Sequence, residues 1–361
     1  MTFAEARAAY PVLARVAYLN AGSVGPLARA AFDAIVEGRR RDLAEGRSGR
    51  PYLDAMLAAR DRVRAALGGE IGVPAVNVAL TRSTSEGCLV VLAGLGLGPD
   101  DEIVTTDVEH FGLLGAVHAS GAHVRVAAVR DRPAGEALEA ILAEVTPRTR
   151  LLALSHVAWT SGHVLPVREL KAETGLPVLV DGAQSVGAIP VEAAGFDWYT
   201  ISAQKWLCGP EPTGALYVAD PEALAIALPT YFSQAGYEPD GSFTPKDGAA
   251  RFDSGWIDPP SLAGLEAALA VHPPWRFERA AETAARCRSL LAERYEVATE
   301  PGHATLVSFR WPGDDTAEAA RRALDRGVAI RDLPGTGWLR ASCGYWTSDE
   351  DLERLVDALA Q

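Results

Sequence analysis

A reactive amine has few candidates in this chain of 361 residues, because only Lys171, Lys205 and Lys246 are lysines. Lys205 follows a β-branched and aromatic run at 197–202 and precedes the apolar turn 206–210. An amine in such surroundings is partly desolvated, which lowers its pKa and makes it a better nucleophile toward a carbonyl carbon. A solvated surface lysine is the ordinary alternative, and the apolar turn after Lys205 weakens it.

A carboxylate closes a neighbouring run of the same kind. Asp181 ends the apolar run 177–181, and glycine follows it. Taken alone, an aspartate in this position is typical of a helix cap. Together with Lys205, however, the acid suits pyridoxal 5'-phosphate (PLP): the carboxylate keeps the pyridine nitrogen protonated so that the ring acts as an electron sink, and the lysine forms a Schiff base. Lys205 and Asp181 are therefore predicted to be catalytic groups of a PLP enzyme.

A phosphate site should accompany this pair, and the turn 81–87 fits one. It reads Thr-Arg-Ser-Thr-Ser-Glu-Gly, follows a predicted strand and opens a predicted helix. Backbone N–H groups and hydroxyls at a helix N-terminus bind anions. Ser83 and Glu86 also fit a capping box, a structural motif that is compatible with phosphate binding. His110 follows another strand; a lone histidine is more often structural, but at a strand's carboxyl end it is a candidate for stacking on a cofactor ring.

These residues need a scaffold that brings strand ends together. Between 76 and 220, short β-branched runs alternate with amphipathic stretches, which predicts an α/β fold with a mostly parallel seven-stranded sheet and helices on both faces. The predicted strands are 76–80, 102–106, 123–129, 150–155, 177–181, 197–202 and 214–218. The predicted helical stretches between them are 86–95, 134–144 and 167–174. Ligands of such sheets bind at the carboxyl ends of the strands.

The sequence pattern changes past residue 246. Helices are predicted at 261–271, 277–289, 316–325 and 348–360, and strands at 304–311, 328–331 and 338–342. We predict an N-terminal segment, 1–19, that packs with the small domain, a large PLP-binding α/β domain, 20–246, and a small C-terminal α+β domain, 247–361. The Gly- and Pro-rich stretch 231–250 is predicted to be a linker and active-site loop.

Composition and charge exclude several classes of function. The formal net charge of −13 repels a phosphate backbone, so no nucleic-acid partner is expected. Four scattered cysteines predict neither a disulfide framework nor a metal site. No apolar stretch is long enough for a membrane span, and the acidic N-terminus lacks the apolar core of a signal peptide. We therefore expect a cytoplasmic protein that acts on a small molecule.

The motifs taken together resemble one family. They occur in order along nearly the whole chain, at 18–22, 81–87, 107–110, 155–156, 181–184, 202–205 and 339–342. They resemble the class V aminotransferase family, which includes cysteine desulfurases, cysteine/cystine C–S lyases and isopenicillin N epimerase-like proteins. The Asp-x-x-Gln and Ser-x-x-Lys blocks are specific to that family. The resemblance implies a fold-type-I PLP enzyme, an amino-acid substrate, and a homodimer with each active site at the subunit interface.

The resemblance also implies a role for each matching cofactor residue. Lys205 would carry the Schiff base, and Asp181 would hold the pyridine nitrogen. Gln184 would contact the phenolic oxygen, and His110 would stack on the ring. The residues that would hold the phosphate are Thr84, Ser85, Ser202 and Gln204, the last in place of the histidine that is usual in desulfurases.

Departures from the desulfurase pattern indicate which branch of the family the chain resembles. Trp159 stands where desulfurases carry an asparagine beside the cofactor, and Trp256 where they carry a threonine that reaches a neighbouring subunit's phosphate. Asn20 is a further candidate at the substrate site, and Arg340 matches the arginine that grips the substrate α-carboxylate by a bidentate fork. Trp159 with the pair Arg331 and Arg340 is similar to the C–S lyase branch, where two arginines are implicated in binding more than one carboxylate. For Arg331, a surface ion pair is an equally weighted alternative.

These features predict β-elimination on a cysteine- or cystine-type substrate. An aminotransferase or an amino-acid epimerase of the same family is the alternative, because both share the loss of the α-proton and differ in the step after it. A persulfide-forming desulfurase is disfavoured: the stretch 330–340 holds no cysteine, and Cys208 and Cys343 are expected to be buried thiols. The retained catalytic residues argue against a non-catalytic protein of the same fold, and a nucleotide-dependent oxidoreductase lacks its G-x-G-x-x-G signature.

Overall fold

The helices and strands are taken from a computed structural model, which describes residues 1–360. In those residues the α-helices are α1 (Phe3–Ala8), α2 (Arg29–Glu45), α3 (Gly49–Glu70), α4 (Thr84–Leu95), α5 (Phe111–Ala119), α6 (Ala137–Leu142), α7 (Val167–Thr174), α8 (Pro259–Ala270), α9 (Arg276–Ala292), α10 (Thr316–Asp325) and α11 (Asp349–Leu359). The strands are β1 (Ala17–Tyr18), β2 (Val78–Thr81), β3 (Glu102–Thr106), β4 (His123–Ala127), β5 (Thr149–Ser155), β6 (Val178–Asp181), β7 (Trp198–Ser202), β8 (Gly214–Val218), β9 (Gln234–Tyr237), β10 (Phe243–Pro245), β11 (Leu306–Arg310), β12 (Val328–Ala329), β13 (Arg331–Leu333) and β14 (Trp338–Ser342).

The predicted seven-stranded sheet is confirmed. Its strand order is β2-β8-β7-β6-β5-β3-β4, and only β8 runs antiparallel to its neighbours. Strands β2, β3, β6, β7 and β8 are buried along their whole length. A parallel sheet covered on both faces requires such continuous apolar runs rather than alternation. Along β5, Leu152 and Leu154 join one core layer while Leu151 and Ala153 join the other.

The carboxyl ends of the central parallel strands lie side by side. Ser155 at the end of β5 is in register with Asp181 at the end of β6, which is in turn in register with Thr200 on β7. Ser202 then closes β7. The sheet therefore gathers at one edge the polar residues that the sequence places after separate strands.

The C-terminal part builds a second, smaller sheet in the order β11-β14-β13, antiparallel throughout. Helices α9, α10 and α11 cover it, and Phe309 and Leu339 lie in the shared core. Residues from the N-terminal segment enter that core as well: Ala17 and Leu19 are fully buried there, and β1 pairs in parallel with β12. These contacts support the proposed packing of segment 1–19 with the small domain.

The boundary between the large and small domains stays a prediction. Helix α8 packs against the long helices α2 and α3, and its Leu262 and Leu265 join the core of the large sheet. We therefore propose that the division falls after α8, later than residue 246. The stretch 231–250 contains the β9–β10 hairpin in addition to loop. In residues 1–360, no helix is long and apolar enough to cross a membrane.

Candidate active site

Lys205 lies in the turn that leaves β7. The Cys208 N–H donates to the Lys205 carbonyl over 3.0 Å, which closes the turn, and Cys208 itself adopts a left-handed φ of 55°. Removal of the Lys205 amine from water lowers its pKa to about 8; the nearby Asp181 carboxylate opposes this shift and Arg340 adds to it. A primary amine with this pKa is neutral in a useful fraction of molecules near neutral pH and is a competent nucleophile and base.

Asp181 and Gln184 are fixed by the loop after β6. Asp181 is 3% exposed, and its Oδ1 accepts the Ala183 N–H over 2.9 Å. The Gln184 amide is held at both ends: Nε2 donates to the Gly22 carbonyl over 2.8 Å, and Oε1 accepts from the Trp206 indole over 3.0 Å. Nε2 keeps a second N–H, which is the donor available to a phenolate oxygen.

The turn before α4 has the features of an anion site. Ser83 caps the helix by accepting the Glu86 N–H over 3.2 Å, but the Glu86 carboxylate accepts the Arg82 N–H, so the predicted capping box is only half formed. The hydroxyls of Thr84 and Ser202 lie 3.2 Å apart at this helix end, and Ser85 is exposed beside them. Together with the helix dipole, these groups can bind a phosphate.

Gln204, the fourth predicted phosphate ligand, lies next to Lys205. Its backbone carbonyl accepts the Gly25 N–H over 2.8 Å. Its side-chain Oε1 is buried and has no hydrogen-bond partner in the described residues. A buried polar atom without a partner is costly in a folded protein, so this amide is an unsatisfied group at the edge of the site.

His110 and Trp159 meet at the same sheet edge. His110 caps α5, and its Nδ1 accepts the Gly112 N–H over 3.0 Å, which leaves the proton of a neutral ring on Nε2. Burial lowers the pKa of His110, and the positive charge of Lys205 lowers it further. The His110 ring contacts Trp159 edge-on at 5.3 Å. One face of the imidazole therefore remains available for a planar partner.

Arg340 is a buried cation without a carboxylate partner among residues 1–360. It is 2% exposed; Nη1 donates to the Trp159 carbonyl over 2.9 Å and Nη2 to the Ser23 hydroxyl over 3.4 Å. Its Nε is buried and unpartnered. Burial lowers the pKa of Arg340 to about 9, and the neighbouring Arg331 charge acts in the same direction. A buried guanidinium of this kind is strongly stabilised by an incoming anion.

The remaining predicted residues border this core of the site. Arg331 faces Arg340 across the β13–β14 ladder, is largely exposed, and lies 3.8 Å from the Asp332 carboxylate. Asn20 pairs with Ser342, and its Oδ1 accepts from the Ser23 hydroxyl over 2.8 Å. Asn20 therefore acts on Arg340 through Ser23 in this chain.

Trp256 lies at the periphery. Its indole is 61% exposed and packs edge-on against Phe232 at 5.0 Å. Its neighbour Gly255 lines an open cavity of about 580 Å³ together with Ser85. Within one chain, the structure gives Trp256 no contact with Lys205 or Asp181 in the described residues.

Sequence analysis did not predict the contacts of Ser23 and Gly25 in the N-terminal loop or the burial of one acid. Gly22 contacts Gln184, Ser23 contacts Arg340, and Gly25 contacts Gln204. A Cβ at Gly25 would clash with the Lys205 carbonyl oxygen. Glu109, which precedes His110, is 6% exposed, and its carboxylate accepts hydrogen bonds from Thr106 and Ser155. The two glycines in the segment 22–25 indicate a loop that approaches other backbone closely. Nothing in the sequence indicates the burial of Glu109.

The groups of this sheet edge fit PLP. An amine of lowered pKa, a buried acid and an anion-binding helix end stand at neighbouring strand ends. Unsatisfied polar atoms of Gln204 and Arg340 lie around them. The fold and this site define an enzyme of the fold-type-I PLP-dependent class.

The chain belongs to the aminotransferase class-V family, whose model matches residues 47–355. It is 30% identical to isopenicillin N epimerase from Streptomyces clavuligerus, with 98% of this chain and 97% of that protein covered. It is also 30% identical to a cysteine desulfurase from Enterobacter sp. (strain 638), with 98% and 97% covered. The family resemblance seen in the sequence is therefore confirmed.

Two solved structures of the protein C-DES are similar over nearly the whole chain. A mutant with glycine covalently linked to the PLP cofactor has a TM-score of 0.92 at 27% identity, covering 98% of this chain and 99% of that one. The complex of "the cystine C-S lyase C-DES" with cysteine persulfide has a TM-score of 0.90 at 28% identity, with the same coverage. The predicted fold type is thereby confirmed.

Proposed function

We propose that this PLP-dependent enzyme is a β-eliminating C–S lyase acting on a cysteine- or cystine-type amino acid. The amino-acid substrate is supported by the buried Arg340, which has no carboxylate partner among residues 1–360 and lies near the Lys205 amine. The preference for elimination rests on the buried cysteines and on the likeness to a C–S lyase. A cation and a nucleophilic amine held together select a substrate with a carboxylate and an amino group. The cystine C–S lyase C-DES shares the fold with a TM-score of 0.90.

The chain's own residues supply binding and proton transfer. Arg340 binds the α-carboxylate and so orients the substrate Cα–H bond. Lys205, whose pKa is lowered to about 8, removes the α-proton onto Nζ. Asp181 would hold a proton on the ring nitrogen of bound PLP. Bound PLP supplies the electron sink that makes the α-proton acidic.

Elimination is favoured over sulfur transfer by the state of the cysteines. Cys88, Cys208, Cys287 and Cys343 are all buried. Burial raises the pKa of Cys208 to about 12, which disfavours the thiolate that would accept sulfur. A thiol or persulfide leaving group is therefore released from the substrate rather than passed to this chain.

A second candidate is an amino-acid epimerase or aminotransferase. It is supported by the 30% identity with isopenicillin N epimerase over nearly the full length of both chains. These reactions share the binding by Arg340 and the proton removal by Lys205, and they differ in where the proton is returned.

We further propose a cytoplasmic homodimer. Leu89, Leu228 and Trp256 are 43%, 42% and 61% exposed, and the first two line the cavity that Ser85 and Gly255 share. An exposed apolar patch next to a polar site is typical of a protein interface. A partner subunit covering this patch would also cover the phosphate end of the site.

The deciding experiment is incubation with cysteine, cystine, cysteine S-conjugates and other amino acids. Pyruvate and thiol release without a keto-acid acceptor supports elimination. Turnover that needs an acceptor and forms the pyridoxamine cofactor, with no pyruvate, would make the enzyme an aminotransferase, and loss of optical purity alone would make it an epimerase. Borohydride reduction followed by peptide mapping should place the cofactor on Lys205.

A further inference from the structure

Glu109 is a buried acid beside the proposed catalytic groups. It lies between the end of β3 and His110 and is 6% exposed. Its Oε1 accepts from the Thr106 hydroxyl over 2.7 Å, and its Oε2 accepts the Ser155 N–H over 2.9 Å and the Ser155 hydroxyl. Both carboxyl oxygens are thus used, and the carboxyl group ties the end of β3 to the end of β5.

This acid lies beside the proposed partner of the ring nitrogen. Ser155, which donates twice to Glu109, is the register neighbour of Asp181 on β6. The two carboxylates repel each other, and the buried Cys88 thiol of α4 is affected by both. On its own chain segment, Glu109 adjoins His110. Asp181 and Cys88 therefore interact electrostatically with Glu109, and His110 follows it in the chain.

The hydrogen bonds of Glu109 favour its charged form, against the effect of burial. Three donors converge on it, and two of them come from one serine. Hydrogen bonds from neutral donors favour the anion, whereas burial opposes it. Burial raises the pKa of Glu109 to about 7, with the donors acting in the opposite direction. The charge of this group therefore changes across the neutral range.

We infer that Glu109 is a positioning residue for the PLP reaction: it is a second carboxylate behind Asp181 that stabilises the protonated, cationic form of the lysine-bound cofactor. This inference rests on the proposed function of Lys205 and Asp181. Asp181 alone would contact the ring nitrogen, and Glu109 acts through it. The negative charge of Glu109 increases the proton affinity of the groups around it, and Ser155 holds that charge in place.

The test is an absorbance titration of the PLP-loaded enzyme with Glu109→Gln. The glutamine can accept both Ser155 donors through its oxygen and donate to the Thr106 hydroxyl, so the contacts are retained while the charge is removed. Because one negative charge is removed, the midpoint for deprotonation of the lysine-bound cofactor should fall, by roughly half to one pH unit at an effective dielectric constant of about 20.

Glu102→Gln is the matched control. Glu102 is a buried acid at the start of β3, whereas Glu109 lies just past the end of that strand, and Glu102 bonds to Thr146 and Arg148. The titration midpoint of Glu102→Gln should equal that of the wild type. A general effect of removing a buried carboxylate would shift both variants and would overturn the inference.

The other outcomes are separable. An unchanged midpoint in Glu109→Gln, with normal cofactor loading, makes Glu109 merely structural. If that variant does not fold, Ser155→Ala is the substitute test. It removes one hydrogen-bond donor to Glu109, leaves Glu109 less ionised, and should lower the titration midpoint of the cofactor by a smaller amount. An unchanged midpoint in Ser155→Ala would refute the role of Glu109. If the wild type and Glu102→Gln also carry no cofactor on Lys205, the proposed function itself fails.

Discussion

Replacing Arg340 by lysine keeps the positive charge and removes the planar fork. In the structure, Arg340 uses one N–H on the Trp159 carbonyl and one on the Ser23 hydroxyl, and its Nε has no hydrogen-bond partner among residues 1–360. Of five guanidinium donors, three therefore remain for a substrate carboxylate. A lysine has three donors in all, so keeping both protein contacts leaves it one. The variant should lose one charge-assisted hydrogen bond to the substrate.

The expected loss is about 1.5–3 kcal/mol, or roughly a 10- to 150-fold fall in kcat/KM, for every amino acid tested. Steady-state kinetics on cysteine and cystine measure it, with substrate binding followed by the change in cofactor absorbance. Arg331→Ala is the control: because Arg331 is largely exposed opposite Arg340, its loss should weaken only large or doubly charged substrates. A folded, PLP-loaded Arg340→Lys enzyme with a kcat/KM within twofold of wild type would refute carboxylate binding by Arg340.

Three further outcomes are expected. Asp181→Asn should keep PLP but lose most turnover, because an amide cannot stabilise a protonated ring nitrogen; near-normal kcat would remove Asp181 from that role. Cys208→Ser and Cys343→Ser should stay active in pyruvate assays, since both thiols are buried. Loss of activity in a folded, PLP-loaded variant would instead support a cysteine desulfurase. Burial, assisted by a neighbouring arginine, lowers the pKa of His272 from 6.5 to about 3, so the unfolded chain binds the extra proton first. This group should therefore lower the free energy of unfolding by about 1.4 kcal/mol per pH unit as the pH drops below 6.5 toward 3. Urea titrations at several pH values measure this free energy, and it should depend less steeply on pH in His272→Phe than in the wild type.

Much of the fold could be predicted because its strands are short, continuous apolar runs. Strands β3 and β8, helix α7 and helix α10 begin and end at the predicted residues. Strands buried on both faces read as short apolar runs separated by amphipathic stretches, which is a strong local pattern.

Helices α2 and α3 could not be predicted in the same way. Only Ala31 of the α2 residues is buried, so the helix has no broad apolar stripe. The inner face of α3 carries Arg60 and Arg64, whose guanidinium groups bond to the buried Asp253. The two arginines stand beside the apolar stripe of α3, and their buried partner lies far away in the sequence, so the sequence pattern does not indicate that this charged pair is buried.

The candidate site, like the fold, has a part that the sequence predicts and a part that it does not. Lys205 and Asp181 are predicted site residues because one follows β7 and the other ends β6, and the topology places such strand ends together. The burial of Arg340 and its lack of a carboxylate partner depend on Trp159 and Ser23, which come from other parts of the chain. Distances of this kind are set by tertiary packing and leave no local trace in the sequence.

The N-terminal loop has a consequence for how the protein is made. Asn20 pairs with Ser342, while Gly25 bonds to the residue before Lys205. During synthesis, the loop leaves the ribosome first and must wait for almost the entire chain before Ser342 is available. Contacts of such wide sequence separation form late in folding. The large sheet can therefore assemble co-translationally, whereas the end of the candidate site that contains Arg340 is completed only after the last strand has emerged.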